Sequence, residues 1–494
     1  MLTSRAAPEG AALAVCGRVC ALMMGTAAVK KTIAIAAATV AGLLASAAAF
    51  FLLLEWRASE AAEAAERPDP AFRLSDQRDL AGFTSNVPVI VLRADRGGSV
   101  STSKAYSPFT MEIYEPKANG PVRLSDGPTS TIRTGVRVRG QVSRLFPKRS
   151  YRLKLQGEPG ASTAKPLLGM PADEDWVLQG PWLDKSLIRN AFSYDLARAM
   201  GAAGMRTRAC EVFLSTSGKP VRDADYVGVY QLTEDIDRGD ERVKLASLGP
   251  DDNTEPAISG GYLLAWDVGD GTYLPRWNSI QVKYPKAPSG AQMAWIDRAL
   301  TQFDQALKGP SSRDPATGYA AHIEVDDWVN YILFEELAFN LDAYVRSFYL
   351  QKDRGRKIRP GPVWDHDLGL GHEFPPRTPF DQWWFIARQA PHGWVPRLMD
   401  DPAFVKKMAQ RWGDLRKGVL RDEQIEARID TFARPLLSGP ADRNFQRWKI
   451  LNVKSPFTDR PYITIATATY PEQMAALKKF LRERAAWMDA HLQK

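Results

Sequence analysis

Four oxygen-bearing side chains fall in one short stretch of the sequence: Asn340, Asp342, Asp365 and Asp367. Between them run Ser347-Phe348-Tyr349-Leu350, a charged turn over residues 353–357, and Gly361-Pro362-Val363-Trp364. The turn predicts a hairpin whose second arm folds back along the first. Arms of similar length bring Asp342 and Asp365 to the same end, although 23 residues separate them. Paired strands lie ~4.8 Å apart, so the carboxylates crowd and repel unless a cation or basic groups sit among them. Asn340 adds an amide oxygen. An oxygen-only set suits Mg²⁺ or Mn²⁺ rather than zinc. It also fits phosphoryl transfer, in which one aspartate accepts a hydroxyl proton and another, a little downstream, holds the metal. The plainer alternative makes Asp342 a turn cap and Asp365 and Asp367 surface-loop residues. Trp364 and the Gly361-Pro362 step specify the loop's position and weigh against it.

A second group is cationic. Val136 and Val138 alternate with Arg137 and Arg139, and Tyr151, Leu153 and Leu155 alternate with Arg152 and Lys154. Period-2 alternation gives each strand one apolar and one cationic face. The connection carries Arg144, Lys148 and Arg149. Such a hairpin could hold a polyphosphate; a solvated sheet face is the alternative. It is not a Walker A loop, because Gln141-Val142-Ser143 follows Gly140. Five scattered histidines and three cysteines give no zinc spacing, and no Gly-x-Ser-x-Gly elbow occurs. Trp383, Trp384 and Trp394 could stack a sugar or base, though aromatic density of this kind more often packs a core.

Strand-like runs dominate residues 86–290, beginning with Val89-Ile90-Val91-Leu92 and including 226–234, which ends at Glu234. A helix is expected over 184–200, capped by Asp184, with Arg189 and Asn190 as polar residues facing a site. From about residue 320 helical patterns take over: Val329, Ile332, Leu333, Leu337 and Leu341 form one stripe. Strands first and helices later predict an α+β fold with two lobes, jointed at residues 285–290 and 309–318.

The chain has 494 residues, 45% hydrophobic and 25% charged, with a net charge of +8. That composition excludes a disordered chain, a multi-span transporter and a disulfide scaffold. The positive excess calls for an anionic partner only where basic residues cluster, so nucleic acid is not an expected partner. Residues 32–54 are uncharged and apolar, enough for a helix of about 34 Å that crosses a ~30 Å hydrocarbon core. Lys30 and Lys31 precede the run and an acidic stretch follows, which puts the N-terminus in the cytoplasm and the main domain in the periplasm or outside the cell. A cleaved signal peptide, cut near Ala45-Ser46-Ala47, is the rival, but the apolar run continues through Leu54. The expected organisation is a cytoplasmic segment at 1–31, an anchor at 32–54, a stalk at 55–85 and a folded domain at 86–494.

Several segments together resemble the CotH kinase family, named for spore coat protein H. They are Arg139-Gly140 with Phe146-Pro147-Lys148-Arg149-Ser150-Tyr151-Arg152-Leu153-Lys154; Asp184-Lys185-Ser186-Leu187-Ile188-Arg189-Asn190; Tyr226-Val227-Gly228-Val229-Tyr230 with Glu234; Gly260-Gly261-Tyr262-Leu263-Leu264; Asn340-Leu341-Asp342; and Gly361-Pro362-Val363-Trp364-Asp365-His366-Asp367. The resemblance implies an atypical two-lobed protein-kinase-like fold, strand-rich in its N-terminal lobe and helical in its C-terminal lobe. It implies binding of ATP with Mg²⁺ or Mn²⁺ and phosphorylation of Ser or Thr on a protein substrate. By position, Asp342 matches the catalytic aspartate and Asp365 the metal-binding one, with Asp367 and Asn340 beside it. Arg139, Lys148, Lys154 and Glu234 fall in motifs assigned to the nucleotide. Where the family usually has Asn-Ser-Ser after Arg-Gly, this chain has Gln141-Val142-Ser143, which keeps open a weak or inactive surface adhesion or scaffold protein. A glycosidase-like hydrolase is a third reading; it needs two carboxyls flanking a sugar groove, and the cationic sheet face counts against it.

Overall fold

The computed structural model describes residue 74 and residues 80–117, 120–157, 161–267, 269, 271–373, 380–387, 393–454 and 464–492. They belong to one compact unit spanning residues 65–494. The expected segments 1–31 and 32–54 lie outside the described residues, as does most of 55–85. Among the described residues no helix is long and apolar enough to cross a membrane. The fold starts a little before residue 86: Leu80–Gly82 form a turn of 3₁₀ helix, and Thr84–Ser85 pair with Val122–Arg123.

Seven strands follow: β1 Val89–Ala94, β2 Ser107–Tyr114, β3 Ser130–Arg139, β4 Ser150–Gln156, β5 Asp175–Gln179, β6 Thr207–Ser215 and β7 Tyr226–Glu234. They close into a barrel in the order β6-β7-β5-β4-β3-β2-β1. Every pairing is antiparallel except the closing one, where β1 runs parallel to β6 with Val89 opposite Glu211. The period-2 pattern explains the two surfaces. Ile132, Thr134, Val136 and Val138 of β3 are buried, as are Tyr151, Leu153 and Leu155 of β4. The intervening Arg137, Arg139, Arg152 and Lys154 keep partial access to solvent. Phe109, Met111, Trp176, Leu178, Val212 and Leu232 fill the interior from the other strands. This corrects the expected kinase-like N-terminal lobe: the strand-rich part is a closed barrel. Closure pairs both otherwise open edges, which β1 and β6 would have left with unsatisfied backbone groups.

Lys165–Leu167 pairs with Met170–Asp173 in a short separate hairpin between β4 and β5; five further strands belong to the other half. β8 Tyr262–Trp266, β9 Thr272–Tyr273, β10 Ile280–Tyr284, β11 Phe348–Lys352 and β12 Ile358–Pro360 form a sheet in the order β9-β10-β8-β11-β12. Leu264 of β8 faces Val282 on one side and Leu350 on the other. The expected joint at 285–290 is therefore displaced: the change from barrel to second half falls between Glu234 and Tyr262. The cause is that β8, buried on both faces, reads as an apolar run that sequence pattern alone cannot allocate to a sheet. The hairpin of β11 and β12 forms as expected, with Leu350 opposite Pro360.

Helices α1 Arg189–Ala199, α2 Gly290–Lys308, α3 Val325–Ala338, α4 Pro402–Lys417, α5 Asp422–Leu437, α6 Pro440–Arg447 and α7 Tyr470–Leu492 complete the fold. Trp328, Trp394, Trp412, Leu477 and Leu481 lie in their shared core. The helix expected from Asp184 starts five residues later. Asp184 instead organises the turn before α1: its carboxylate accepts the N–H groups of Ser186 and Arg189 and pairs with the Arg189 guanidinium at 2.6 Å.

Candidate active site

A cleft of about 260 Å³ opens where the barrel meets the second half. The barrel supplies Arg139 at the end of β3, the loop Gly140–Ser143, Arg152 on β4, and Asp235 just past β7. The opposite wall supplies Asp267 just past β8, Lys283 on β10, Tyr349 on β11, and the loops carrying Asp342, Arg346, Asp365 and Asp367. Gly140 lets the chain turn out of β3. Its φ is 106°, and a Cβ there would stand 2.0 Å from the Ser143 hydroxyl oxygen.

Both acidic loops are held by backbone contacts. The chain leaves α3 through Phe339 in the left-handed region, φ 46°. Asn340 Oδ1 then accepts the N–H of Asp342 at 3.3 Å, and the Asp342 carbonyl accepts those of Val345 and Arg346. In the second loop Asp365 has φ 63°. Its N–H donates to the Tyr194 hydroxyl at 3.1 Å, and the N–H of His366 donates to Asn190 Oδ1 at 2.6 Å. The Ser347 hydroxyl favours the ionised form of Asp365. Asp365 and Asp367 line the cleft, while the intervening His366 is fully buried and meets Glu335 of α3 at 3.2 Å.

Burial pushes the Asp365 carboxyl above its usual range; Arg139 pulls it back and Asp267 pushes it further. Burial also pushes Asp367 well above that range, followed by repulsion from Asp365, Asp184 and Asp342. These carboxylates feel one another, and a cation among them would relieve the repulsion.

Four of the eight expected site residues meet at the cleft: Arg139, Asp342, Asp365 and Asp367. The other four do not line it. Lys148, 1% exposed, donates to Asn444 Oδ1 at 2.7 Å and lies over the Tyr230 ring. Burial holds its pKa well below the ordinary lysine value. Lys154 is engaged by Glu174 at 2.7 Å and Asp175 at 3.1 Å, the latter its cross-strand neighbour on β5. Glu234 is buried and takes Arg206 and Arg242 as partners. Asn340 is buried, with Oδ1 spent on the Asp342 backbone. Sequence reasoning missed Asp235, Asp267, Lys283 and Arg346. The first two had a signal: each is a carboxylate directly following an apolar strand.

Among the described residues no three Asp, Glu, His or Cys side chains stand close enough to hold a metal ion by themselves. Mg²⁺ sites commonly use only one or two carboxylates together with substrate phosphates and water. Asp365 and Asp367 fit such a pair, both oxygen donors on one loop and both facing the cleft.

A closed barrel packed on a mostly helical half, with acidic and basic side chains lining the cleft at their junction, makes this an α+β protein. A family model described as CotH kinase protein matches residues 136–488, and the chain belongs to that family. A search of curated proteins finds no match.

Proposed function

We propose that this CotH-family protein is an atypical kinase that transfers the γ-phosphoryl group of ATP to Ser or Thr hydroxyls of a protein. The observation that carries the reading is the meeting of Asp342 with Asp365 and Asp367 in one cleft faced by Arg139. Arg139 binds phosphate oxygens through its fork of donors. Asp365 and Asp367 would hold Mg²⁺ or Mn²⁺. When bound, the ion supplies neutralisation of the charge on the phosphate oxygens. Asp342 orients the acceptor hydroxyl and takes its proton as the new O–P bond forms and the bond to the β-phosphate oxygen breaks, releasing ADP. The uncharged apolar run at 32–54 supports a single-pass membrane anchor with the N-terminus in the cytoplasm and the domain beyond the membrane.

The test is turnover of radiolabelled ATP by the full chain with a protein acceptor, with and without Mn²⁺. Asp342→Ala and Asp365→Ala are each expected to lower transfer ~10²-fold or more. Transfer that continues unchanged in either variant removes that residue from the mechanism.

One observation favours a second reading, a fold retained for adhesion or scaffolding: Lys148 and Lys154 are both engaged away from the cleft. Calorimetry with ATP and Mn²⁺ separates the two. A folded chain that releases no heat supports the scaffold.

A further inference from the structure

Glu335 and Glu336 are neighbours on α3, and both are buried, at 1% and 0% exposure. Successive helical residues diverge by about 100°, so the two carboxylates leave α3 toward different parts of the molecule. Glu335 Oε2 meets His366 Nε2 at 3.2 Å. Glu336 Oε1 accepts the Tyr344 hydroxyl at 2.9 Å. His366 lies between Asp365 and Asp367, and Tyr344 lies two residues past Asp342. One helix thus grips both acidic loops through adjacent side chains.

The grip falls where the backbone is strained. Tyr344 has φ 66° and Ser347 φ 50°; Asp365, next to His366, has φ 63°. Non-glycine residues in this region are strained and persist only where the surroundings hold them. A buried carboxylate is itself costly unless its oxygens are satisfied. Glu336 meets that condition, with the N–H groups of Trp384 and Phe385 at 2.7 and 3.1 Å and Arg484 at 3.3 Å. An apolar pair at these positions would pack the core but leave both loops untied.

We propose that Glu335 and Glu336 are positioning residues that set the spacing between Asp342 and the Asp365–Asp367 pair, Glu335 through His366 and Glu336 through Tyr344. The assignment rests on the kinase reading of the cleft.

His366→Phe and Tyr344→Phe each delete one hydrogen-bonding group and keep an aromatic ring. Mn²⁺ alone is titrated into the nucleotide-free full chain by electron paramagnetic resonance. His366→Phe is expected to weaken Mn²⁺ binding ~10-fold or more, and His366→Gln, whose amide still donates to Glu335, to recover most of the loss. Tyr344→Phe is expected to hold Mn²⁺ affinity within about threefold and to lower kcat at saturating ATP about tenfold. Amide hydrogen exchange rises over residues 363–370 in the first variant and over 340–347 in the second. If the parent chain neither binds Mn²⁺ nor turns over ATP, the kinase reading fails and exchange alone decides: localised increases uphold the positioning, unchanged exchange overturns it. In an active chain, parallel losses in every parameter for both variants, or no loss in either, overturn it.

Discussion

The Tyr194 hydroxyl accepts the backbone N–H of Asp365 at 3.1 Å, while the Tyr194 ring stacks on Trp364 with centroids 5.4 Å apart. Helix α1 therefore touches the acidic loop across 171 residues of sequence. The same helix offers Asn190 to His366, and Arg189 reaches the carbonyl of Leu370 at 3.3 Å. The segment 184–190 acts as a brace for residues 365–370, and Asp184 holds the brace together.

Tyr194→Phe follows from this contact. The ring and its stacking remain, but the part-buried N–H of Asp365 and the buried amide of Gln179 each lose the hydroxyl as acceptor. An unsatisfied buried donor costs about 1–3 kcal/mol. Chemical denaturation is expected to read a loss in that range, and metal-dependent transfer to fall about tenfold through the displaced carboxylate. Full activity in Tyr194→Phe would show that the loop keeps its place without α1.

Lys148 tests the correction made by the fold. Its amine is buried and bound to Asn444, so Lys148→Met is expected to leave the KM for ATP within about threefold. It also changes the pH dependence of stability. An unfolded lysine titrates near ~10.4. In the folded chain burial lowers that value, so between the two the unfolded chain binds more protons. Stability contributed by this site therefore rises as pH climbs through that window and is lost as pH falls. Melting temperatures measured from pH 7 to 10 are expected to rise less steeply in Lys148→Met than in the parent chain. A large rise in KM would return Lys148 to the nucleotide site.

The carboxylate pair carries a trade between stability and binding. Folding holds Asp365 and Asp367 where burial and mutual repulsion disfavour ionisation. A raised folded pKa means that the pair destabilises the metal-free chain as pH rises through it. Asp365→Asn removes one charge with little change of shape. The metal-free variant is expected to melt about 1–3 °C higher than the parent at neutral pH. The stabilisation that Mn²⁺ gives the parent is expected to vanish. A variant that melts lower and still responds to Mn²⁺ would contradict the pairing.

Much of this was legible in the sequence where the signal is local. The alternation over 134–140 and 151–155 marks strands there, because one buried face imposes period 2; 226–234 also reads as a strand and forms one, although it is buried along almost its whole length. Asp342, Asp365 and Asp367 line one cleft, and the hairpin that turns the chain back between them, with Leu350 opposite Pro360, was legible from the charged turn at 353–357. Barrel closure was not, because it depends on Val89 lying beside Glu211, a pairing no local pattern encodes. The partners of Lys154 were hidden for the same reason: alternation puts it on the outer face, but only register puts Asp175 opposite. Lys148 looked like a solvent-facing cation of a basic loop. What buries it is Asn444 from α6, nearly three hundred residues away.

Arg139 is the barrel cation that acts on Asp365, and its removal has two separable consequences. Its guanidinium lies over the Trp364 ring, 5.5 Å from the centroid, and it lines the cleft with Asp365. Hydrogen bonds to charged groups contribute about 1.5–3 kcal/mol, so Arg139→Met is expected to raise the KM for ATP about tenfold or more. Arg139 also favours the ionised form of Asp365. Without it the Asp365 pKa rises further, a smaller fraction is ionised at any given pH, and the acidic limb of the pH–rate profile moves to higher pH. Arg139→Lys keeps the charge but loses the two-donor fork, so it is expected to restore the position of that limb while recovering only part of the ATP affinity. Steady-state kinetics from pH 5 to 9 on the three proteins measures both effects. A raised KM with an unmoved limb would confine Arg139 to the phosphates, and an unchanged KM would take it out of the nucleotide site.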